Sequence, residues 1–172
     1  GATGALGRSV VSRFVQAGDS VLAVHSSSEK PAAANGVEWF SADLTQRKAV
    51  FDLFGKTGGV DAVVHCAGGF RFGMVDVISP EDVRFLLGLN FESSFWVASA
   101  AVPEMKKKKR GVLLFVSSLA TLNPSAGMSA YAASKGALNA MVTSLASELK
   151  SDGIRVNAVM PSVIDTPANR KD

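Results

Sequence analysis

Cysteine and histidine are scarce in this 172-residue sequence, which contains one Cys and two His. The lone Cys66 excludes an internal disulfide and is compatible with a reducing compartment, so we expect a cytoplasmic protein. So few sulfur and imidazole ligands also argue against a structural zinc site, and we predict no metal.

The sequence also lacks an excess of charge of one sign. It has 18 Lys and Arg against 15 Asp and Glu, which gives a net charge of +3 at pH 7. A basic balance this small does not indicate a nucleic-acid partner, and we predict none.

Long apolar runs are absent as well. No apolar stretch reaches the length that is needed to cross a bilayer, so we predict no membrane partner. Hydrophobic residues make up 47% of the sequence and charged residues 19%, which is typical of a globular chain rather than a disordered or fibrous one. Because we find no internal repeat, the length predicts a single domain over residues 1–172.

The two ends of the sequence lead us to expect that the chain is incomplete. The chain begins at Gly1 with no Met and no strand ahead of its first glycines, and it ends at Asp172 soon after a turn. We therefore expect a piece of a longer protein, truncated at both ends, in which the first strand and a C-terminal segment are missing.

Strand-like and helix-like segments alternate along the sequence. Apolar segments predict buried strands over 21–24, 37–40, 60–65, 112–116 and 154–160. Helical spacing and capping residues predict helices over 8–17, 44–54 and 131–149, and a further long helical region that begins at Pro80 with Ser79 as its N-cap. This alternation predicts an α/β fold, with a doubly wound parallel sheet in three α/β/α layers.

A glycine-rich turn precedes the first predicted helix, with glycines at Gly1, Gly4 and Gly7. In a doubly wound sheet such a turn receives a pyrophosphate, because glycines let backbone N–H groups approach the anion and the helix N-terminus favours negative charge. Any tight turn into a helix also uses glycine, so the turn alone leaves a phosphate site and a purely structural turn equally open.

Tyr131 and Lys135 are four residues apart at the start of a predicted helix, so both project from one helix face. A lysine ammonium beside a phenol favours the phenolate and lowers the phenol pKa from about 10. Such a tyrosine gives a proton to a carbonyl oxygen or takes one from an alcohol. The motif alone favours the simpler interpretation, an amphipathic helix that starts with a tyrosine and carries a solvated lysine.

Three further polar residues are candidates for a functional role. Ser117 and Ser118 end the strand predicted over 112–116, at the edge where open α/β sheets bind their ligands. The alternative is a pair of hydroxyls that starts an ordinary turn. Asn90 lies within a helical region although Asn is a poor helix former, so it is either a buried polar link or a surface residue.

Taken together, and in this order, the motifs resemble the short-chain dehydrogenase/reductase family over nearly the whole chain. The resemblance implies a Rossmann fold and a catalytic tetrad that consists of Asn90, Ser118, Tyr131 and Lys135. It also implies that the cofactor contacts Gly1, Gly4, Ala5, Leu6, Gly7, His25, Ser26, Ser27, Asp43, Leu44, Cys66, Ala67, Gly68, Tyr131, Lys135, Pro161, Ile164 and Thr166.

The resemblance further implies an NAD(P)-dependent oxidoreductase that acts on a small carbonyl or alcohol substrate. Tyr131 would be the general acid/base, and Lys135 would lower the Tyr131 pKa and bind the nicotinamide ribose. Ser118 would donate a hydrogen bond to the substrate oxygen, and Asn90 would hold a water in the proton path. Helices over 91–105 and 131–149 commonly pack against a second subunit in this family, which implies a homodimer or homotetramer.

The residues at the end of the strand predicted over 21–24, which follows the glycine turn and the first helix, bear on the choice of cofactor. NAD-binding proteins of this architecture place an acidic residue there, on the ribose 2′-hydroxyl. Residues 24–28 contain no carboxylate, and Ser26 and Ser27 can donate hydrogen bonds to a 2′-phosphate, with added charge from Arg8 or Lys30. We therefore predict NADP(H) as the preferred cofactor, with NAD(H) as the alternative.

The sequence departs from the family pattern at several positions. His65 and Cys66 stand where the family has two asparagines, and Ser162 stands where it has glycine. The glycine spacing is closer to that of the family's extended and atypical branches, whereas the spacing from Ser118 to Tyr131 and the tetrad are those of ordinary reductases, and we give the tetrad more weight. These departures support an alternative function, a non-catalytic dinucleotide-binding regulatory or scaffold protein of the same fold.

One cluster of positive charge and one single arginine have simple alternative explanations. The basic run 106–110 is compatible with nuclear localisation or nucleic-acid binding, but cations at a helix C-terminus complement the helix dipole, which we favour. Arg71, in the loop after the strand over 60–65, either pairs with an anionic substrate group or is a solvated loop residue. The identity of the substrate does not follow from the sequence.

Overall fold

Parallel strands alternate with helices along the chain, as the sequence predicts. The computed structural model describes residues 1–26, 31–166 and 169–170. In chain order the elements are α1 (Ala5–Gln16), β1 (Val21–His25), β2 (Val37–Ser41), α2 (Arg47–Thr57), β3 (Ala62–His65), α3 (Pro80–Leu87), α4 (Ser93–Lys108), β4 (Gly111–Val116), α5 (Ser129–Glu148) and β5 (Ile154–Val159). A π-helical turn (Gly88–Glu92) joins α3 to α4. The predicted α/β class is confirmed.

The start of α2 differs from the prediction for a local reason. We predict a helix from residue 44, whereas α2 begins at Arg47. The Asp43 carboxylate accepts hydrogen bonds from the backbone N–H and the hydroxyl of Thr45, at 2.9 and 2.7 Å. This side-chain turn competes with the helix, so the helix starts after it.

The strands form two hydrogen-bonded groups. Strand β1 pairs with β2, while β4 pairs with β3 on one side and β5 on the other, and all of these pairs are parallel. Within the described ranges no strand ladder joins the two groups. Gly1 and Ala2 lie at the junction: both N–H groups donate to the carbonyl of Val24, at 3.2 and 3.0 Å, and a side chain on Gly1 would overlap the backbone of Ala67.

The hydrophobic core lies on one face of the β3–β4–β5 sheet. Leu113 and Phe115 of β4 are fully buried, and they alternate with partly exposed residues as a strand requires. They pack with Met105 of α4 and Leu138 of α5. This packing sets the position of the carboxyl end of β4, where Ser117 and Ser118 follow. The homo-oligomer contact expected through α4 and α5 stays a prediction.

The helical region Pro80–Lys108 corrects one expectation from the sequence. It has 29 residues and contains an 18-residue stretch with a mean hydropathy of 1.3, so by length and composition it is able to cross a membrane, although 39% of that stretch is buried inside the protein. We predict no such segment because no apolar run reaches the length that is needed to span a bilayer. However, residues 85–102 contain Glu92 as their single charged residue, which keeps the mean hydropathy high.

The basic run 106–110 is paired within the chain. Its cations contact acidic residues as follows: Lys106 and Lys109 contact Asp152, Lys107 contacts Glu104, and Lys108 and Arg110 contact Asp61. These contacts join the end of α4 to the residues before β3 and β5. The pairing supports the interpretation of this run as the capped end of a helix.

Candidate functional site

The glycine turn forms the N-terminus of α1. Gly4 is the N-cap residue, its N–H donates to the Gly1 carbonyl at 3.2 Å, and the first turn of α1 contains no acidic residue. Gly7 is buried against the turn: a Cβ at residue 7 would overlap the Gly1 carbonyl oxygen and lie 2.9 Å from the Ala2 Cα. The close approach therefore requires glycine at position 7, and it leaves backbone N–H groups at a helix N-terminus that suits an anion.

Gly7→Ala is expected to lower the free energy of unfolding by about 1–3 kcal/mol, because the added methyl has to displace backbone atoms. The measurement is denaturant unfolding followed by circular dichroism. Gly136→Ala is the matched control, since a Cβ there meets nothing within 4 Å, and we expect it to be neutral or slightly stabilising. Equal effects of the two substitutions would contradict the assigned packing.

A cleft of about 870 Å³ lies beside the glycine turn. The predicted cofactor residues that line it are Gly1, Gly4, His25, Ser26, Asp43, Leu44, Cys66, Ala67 and Gly68. The long helical region contributes residues that the sequence does not single out, among them Arg84, Phe85 and Leu89. Nothing in the sequence indicates that α3 reaches the carboxyl ends of β1 and β3, because this proximity depends on the tertiary fold.

A second cleft of about 280 Å³ adjoins the first and shares Cys66, Ala67 and Gly68 with it. The predicted residues that line only this smaller cleft are Ser118, Tyr131, Lys135, Pro161, Ile164 and Thr166. The fold thus gathers the predicted residues at the carboxyl ends of β3, β4 and β5.

Several predicted residues lie elsewhere. Ala5, Leu6 and Gly7 are in the first turn of α1 and are not among the residues that line either cleft. Asn90 is buried behind the smaller cleft, and Ser27 lies outside the described residues. The roles assigned to the individual site residues stay predictions.

Lys135 is the buried cation of the smaller cleft. Its Nζ donates a hydrogen bond to the carbonyl of Val116, at the end of β4, at 2.7 Å. A Cβ on Gly68 would lie 3.2 Å from this Nζ, so glycine at that position keeps the ammonium accessible. Burial lowers the Lys135 pKa to about 8, which leaves the side chain mainly charged at neutral pH.

Asn90 connects the loop after β3 to the start of α5. Its Oδ1 accepts a hydrogen bond from the N–H of Gly69 at 2.9 Å, and its Nδ2 donates to the carbonyl of Gly69 and to Ser134 Oγ, both at 3.0 Å. Ser134 Oγ donates in turn to the Tyr131 carbonyl at 2.7 Å. The side chain is a positioning element, and the predicted water-holding role stays a prediction.

Ser118 begins the short helical turn that follows β4. Its Oγ accepts a hydrogen bond from the N–H of Ala120 at 3.2 Å. Because this contact uses a lone pair, the Ser118 hydroxyl keeps its hydrogen for donation to a ligand oxygen. The neighbouring Ser117 is buried at the end of the strand.

His65 braces the end of β3 against α4. Its Nε2 is 3.0 Å from Ser93 Oγ, and Ser93 Oγ donates its hydrogen to the carbonyl of Leu89 at 2.6 Å. The hydroxyl has one hydrogen, so Nε2 is the donor in the His65–Ser93 pair. Burial is the main cause that lowers the His65 pKa to about 3, and the charge of Lys135 adds to it, so the imidazole is neutral.

The sequence gives little indication of two of these hydrogen-bond partners, Ser134 and Ser93. Ser134 is recognisable only as the residue three positions after Tyr131, within the same helical turn. Ser93 is one of several serines in α4, and its pairing with His65 depends on how α4 packs against β3.

Within the described ranges no group of three or more His, Cys, Asp or Glu side chains is arranged to hold a metal ion.

Comparison with known proteins identifies relatives over the whole chain. A family model described as short chain dehydrogenase matches residues 1–172. The chain is 33% identical to the cyclic-di-GMP-binding biofilm dispersal mediator protein of Escherichia coli (strain K12), over 98% of this chain and 73% of that protein. It is 31% identical to the 3-oxoacyl-(acyl-carrier-protein) reductase of Thermotoga maritima, over 99% of this chain and 74% of that protein.

Solved structures show the same fold. A short-chain dehydrogenase from Streptomyces avermitilis superposes with a TM-score of 0.90 at 28% identity, over 98% of this chain and 65% of that chain. The chain spans about half the length of three other curated relatives, between 44% and 54%.

Proposed function

The chain belongs to the short-chain dehydrogenase family, and on that premise we propose that it transfers a hydride between a nicotinamide cofactor and a carbonyl or alcohol substrate. The observation that carries this proposal is the grouping of Ser118, Tyr131 and Lys135 around one cleft, which continues into the larger cleft beside the glycine turn. Many of the relatives are named reductases or dehydrogenases.

The residues of the two clefts fit a dinucleotide. The N-terminus of α1, with Gly4 as its cap and no acidic residue in its first turn, suits a pyrophosphate. Gly68 joins the two clefts, and a side chain there would crowd Asn90 Oδ1 and Lys135 Nζ, at 3.1 and 3.2 Å from its Cβ. When bound, the nicotinamide supplies or accepts the hydride.

The side chains of the smaller cleft handle the proton and the oxygen. In the reductive direction Tyr131 gives its phenolic proton to the carbonyl oxygen as the hydride reaches the carbonyl carbon, and in the oxidative direction it takes the alcohol proton. Ser118 donates a hydrogen bond to the same oxygen, where negative charge develops. Lys135 is charged at neutral pH and stabilises the tyrosinate that remains.

We propose NADP(H) as the preferred cofactor. The described residues that end β1 and follow it, His25 and Ser26, include no carboxylate to bind a ribose 2′-hydroxyl or repel a 2′-phosphate. The Asp43 carboxylate, which lines the same cleft, is engaged with Thr45. Arg8, in the first turns of α1, lies next to the glycine turn, where its Nε donates a hydrogen bond to the Thr3 carbonyl at 2.9 Å.

A fluorescence titration of the full-length protein with NADPH and with NADH tests this preference. We expect NADPH to bind about tenfold more tightly, and Ser26→Asp to reverse the order, because an aspartate repels the 2′-phosphate and accepts from a 2′-hydroxyl. Asn35→Asp adds the same charge at an exposed loop position and should leave both affinities unchanged. Tighter binding of NADH by the wild type would contradict the NADP(H) assignment.

A second candidate function is the binding of a dinucleotide without turnover. The name of the Escherichia coli relative, a cyclic-di-GMP-binding mediator protein, favours this alternative, as does the His65-Cys66 departure. Saturable NADPH binding with no hydride transfer across a broad panel of ketones and aldehydes would favour this function over an oxidoreductase. Efficient turnover of any carbonyl compound in the panel would exclude it.

A further inference from the structure

Phe70 lies beside the proposed proton donor, in the loop that follows β3. Its ring meets the Tyr131 ring edge to face, with the centroids 5.0 Å apart and the planes at 79°. Phe70 is 46% exposed and lines the smaller cleft. We propose that Phe70 is a specificity-determining residue that selects uncharged, apolar carbonyl or alcohol substrates. This inference rests on the proposed function.

The backbone on both sides of the Phe70 side chain is held in place. The preceding Gly69 uses both its N–H and its carbonyl in hydrogen bonds to the Asn90 side chain. The Phe70 carbonyl accepts a hydrogen bond from Arg71 Nη1 at 2.8 Å. The ring is therefore presented to the cleft by an ordered backbone, and a substrate that packs on it does not have to order the loop first.

Arg71 is committed to α3 and does not serve an anionic substrate. Its Nε donates to Asp82 Oδ1 at 3.1 Å, and its guanidinium stacks on Phe85, 4.0 Å from the ring centroid. Among the described residues that line the smaller cleft, Lys135 is the one charged side chain. Lys135 lies at the end of the cleft where proton transfer takes place. A carboxylate at the opposite end of a bound substrate would therefore lose its hydration without gaining a cationic partner, which weakens binding.

Apolar side chains are exposed on the loops around this cleft. The loop after β3 exposes Phe72 and Met74, the segment after β4 exposes Leu119 and Leu122, and the segment after β5 exposes Val163. These loops follow the three strands whose carboxyl ends form the cleft. Exposed apolar groups collected at one edge of a sheet are typical of a binding site for an apolar ligand.

The test compares decalone, acetone and oxocyclohexanecarboxylate as substrates of the full-length protein with NADPH. We expect the wild type to prefer decalone over the keto acid by at least about tenfold in kcat/KM. Phe70→Ala should raise KM for decalone about tenfold and change KM for acetone much less, because only the bulky ketone reaches the ring. Phe70→Leu, which keeps an apolar side chain, should retain the preference for decalone.

Phe51→Ala is the matched control for the loss of a phenyl ring. Phe51 is 36% exposed on α2, where its ring lies under Arg47 at 4.4 Å, and it lines neither cleft. This substitution should leave all of the kinetic constants within about twofold of the wild type, as expected for a surface substitution away from the site.

Calorimetric binding of decalol to the protein–NADPH complex gives a readout that does not need turnover. We expect decalol to bind the wild type about tenfold more tightly than Phe70→Ala. Binding of decalol without turnover of any ketone would contradict the proposed function and leave this inference standing. The inference would be overturned by a preference for the keto acid, by equal effects of Phe70→Ala on acetone and decalone, or by no binding of decalol.

Discussion

Tyr131→Phe is expected to lower kcat by about two to four orders of magnitude, the range typical of the loss of a general acid or base. The substitution removes one oxygen atom and keeps the ring that packs against Phe70. Cofactor affinity should stay close to that of the wild type, because Tyr131 lines only the smaller cleft and the larger cleft beside the glycine turn is unchanged. The measurement is steady-state turnover of a ketone, paired with a fluorescence titration with NADPH.

Ser129→Ala is a suitable control for this experiment. Ser129 is exposed in the same first turn of α5, so its loss removes a hydroxyl from the same turn without touching either cleft. Turnover by the control should equal that of the wild type. If Tyr131→Phe kept more than about a tenth of the wild-type kcat, the assignment of Tyr131 as the proton donor would be wrong.

Acid is expected to destabilise the folded protein strongly through His65. The His65 pKa is about 3 in the folded state and close to 6.5 when the side chain is solvated. Between these values the unfolded chain binds a proton that the folded chain does not, so stability falls as the pH decreases from about 6.5 toward 3. The slope reaches about 1.4 kcal/mol per pH unit, which amounts to about 3 kcal/mol between pH 6.5 and pH 4.

Denaturant unfolding of the wild type and of His65→Asn at several pH values measures this contribution. Asparagine keeps a donor for Ser93 but does not titrate, so the variant should lose much less stability in acid. Carboxylates elsewhere in the chain with lowered pKa values, such as Asp61 beside Arg110 and Lys108, affect both proteins equally and cancel in the difference. Parallel pH profiles of the two proteins would show that His65 is not buried in its neutral form.

The sequence correctly predicts those elements whose structure is determined by residues adjacent to one another in the chain. The segment that forms β4 is apolar throughout, and its burial in the core makes it a strand with nearly the predicted ends. Ser79 caps α3 as predicted, since its hydroxyl accepts from the Asp82 N–H at 3.0 Å. In both cases residues within a few positions of each other in the sequence determine where the strand or helix forms.

The contacts that build the site depend on residues far apart in the chain. Asn90 reaches Gly69 and Ser134, and His65 reaches Ser93, through the packing of α4 and α5 against the strands. No periodicity or spacing reports such pairs, so the sequence predicts the functional groups through family resemblance and leaves their supports unassigned. The division of the strands into two hydrogen-bonded groups has the same origin, because strand pairing is a long-range property.

The Asn90 side chain couples two segments that line the smaller cleft, the loop after β3 and the start of α5. One amide group is bonded to the loop that carries Phe70 and, through Ser134, to the backbone of Tyr131. A ligand that shifts the loop therefore also biases the position of the phenol, and thermodynamic reciprocity requires that a ligand held by the phenol bias the loop to the same extent. Substitutions in the loop and at the start of α5 should accordingly be non-additive, with Asn90 as the residue through which they are coupled.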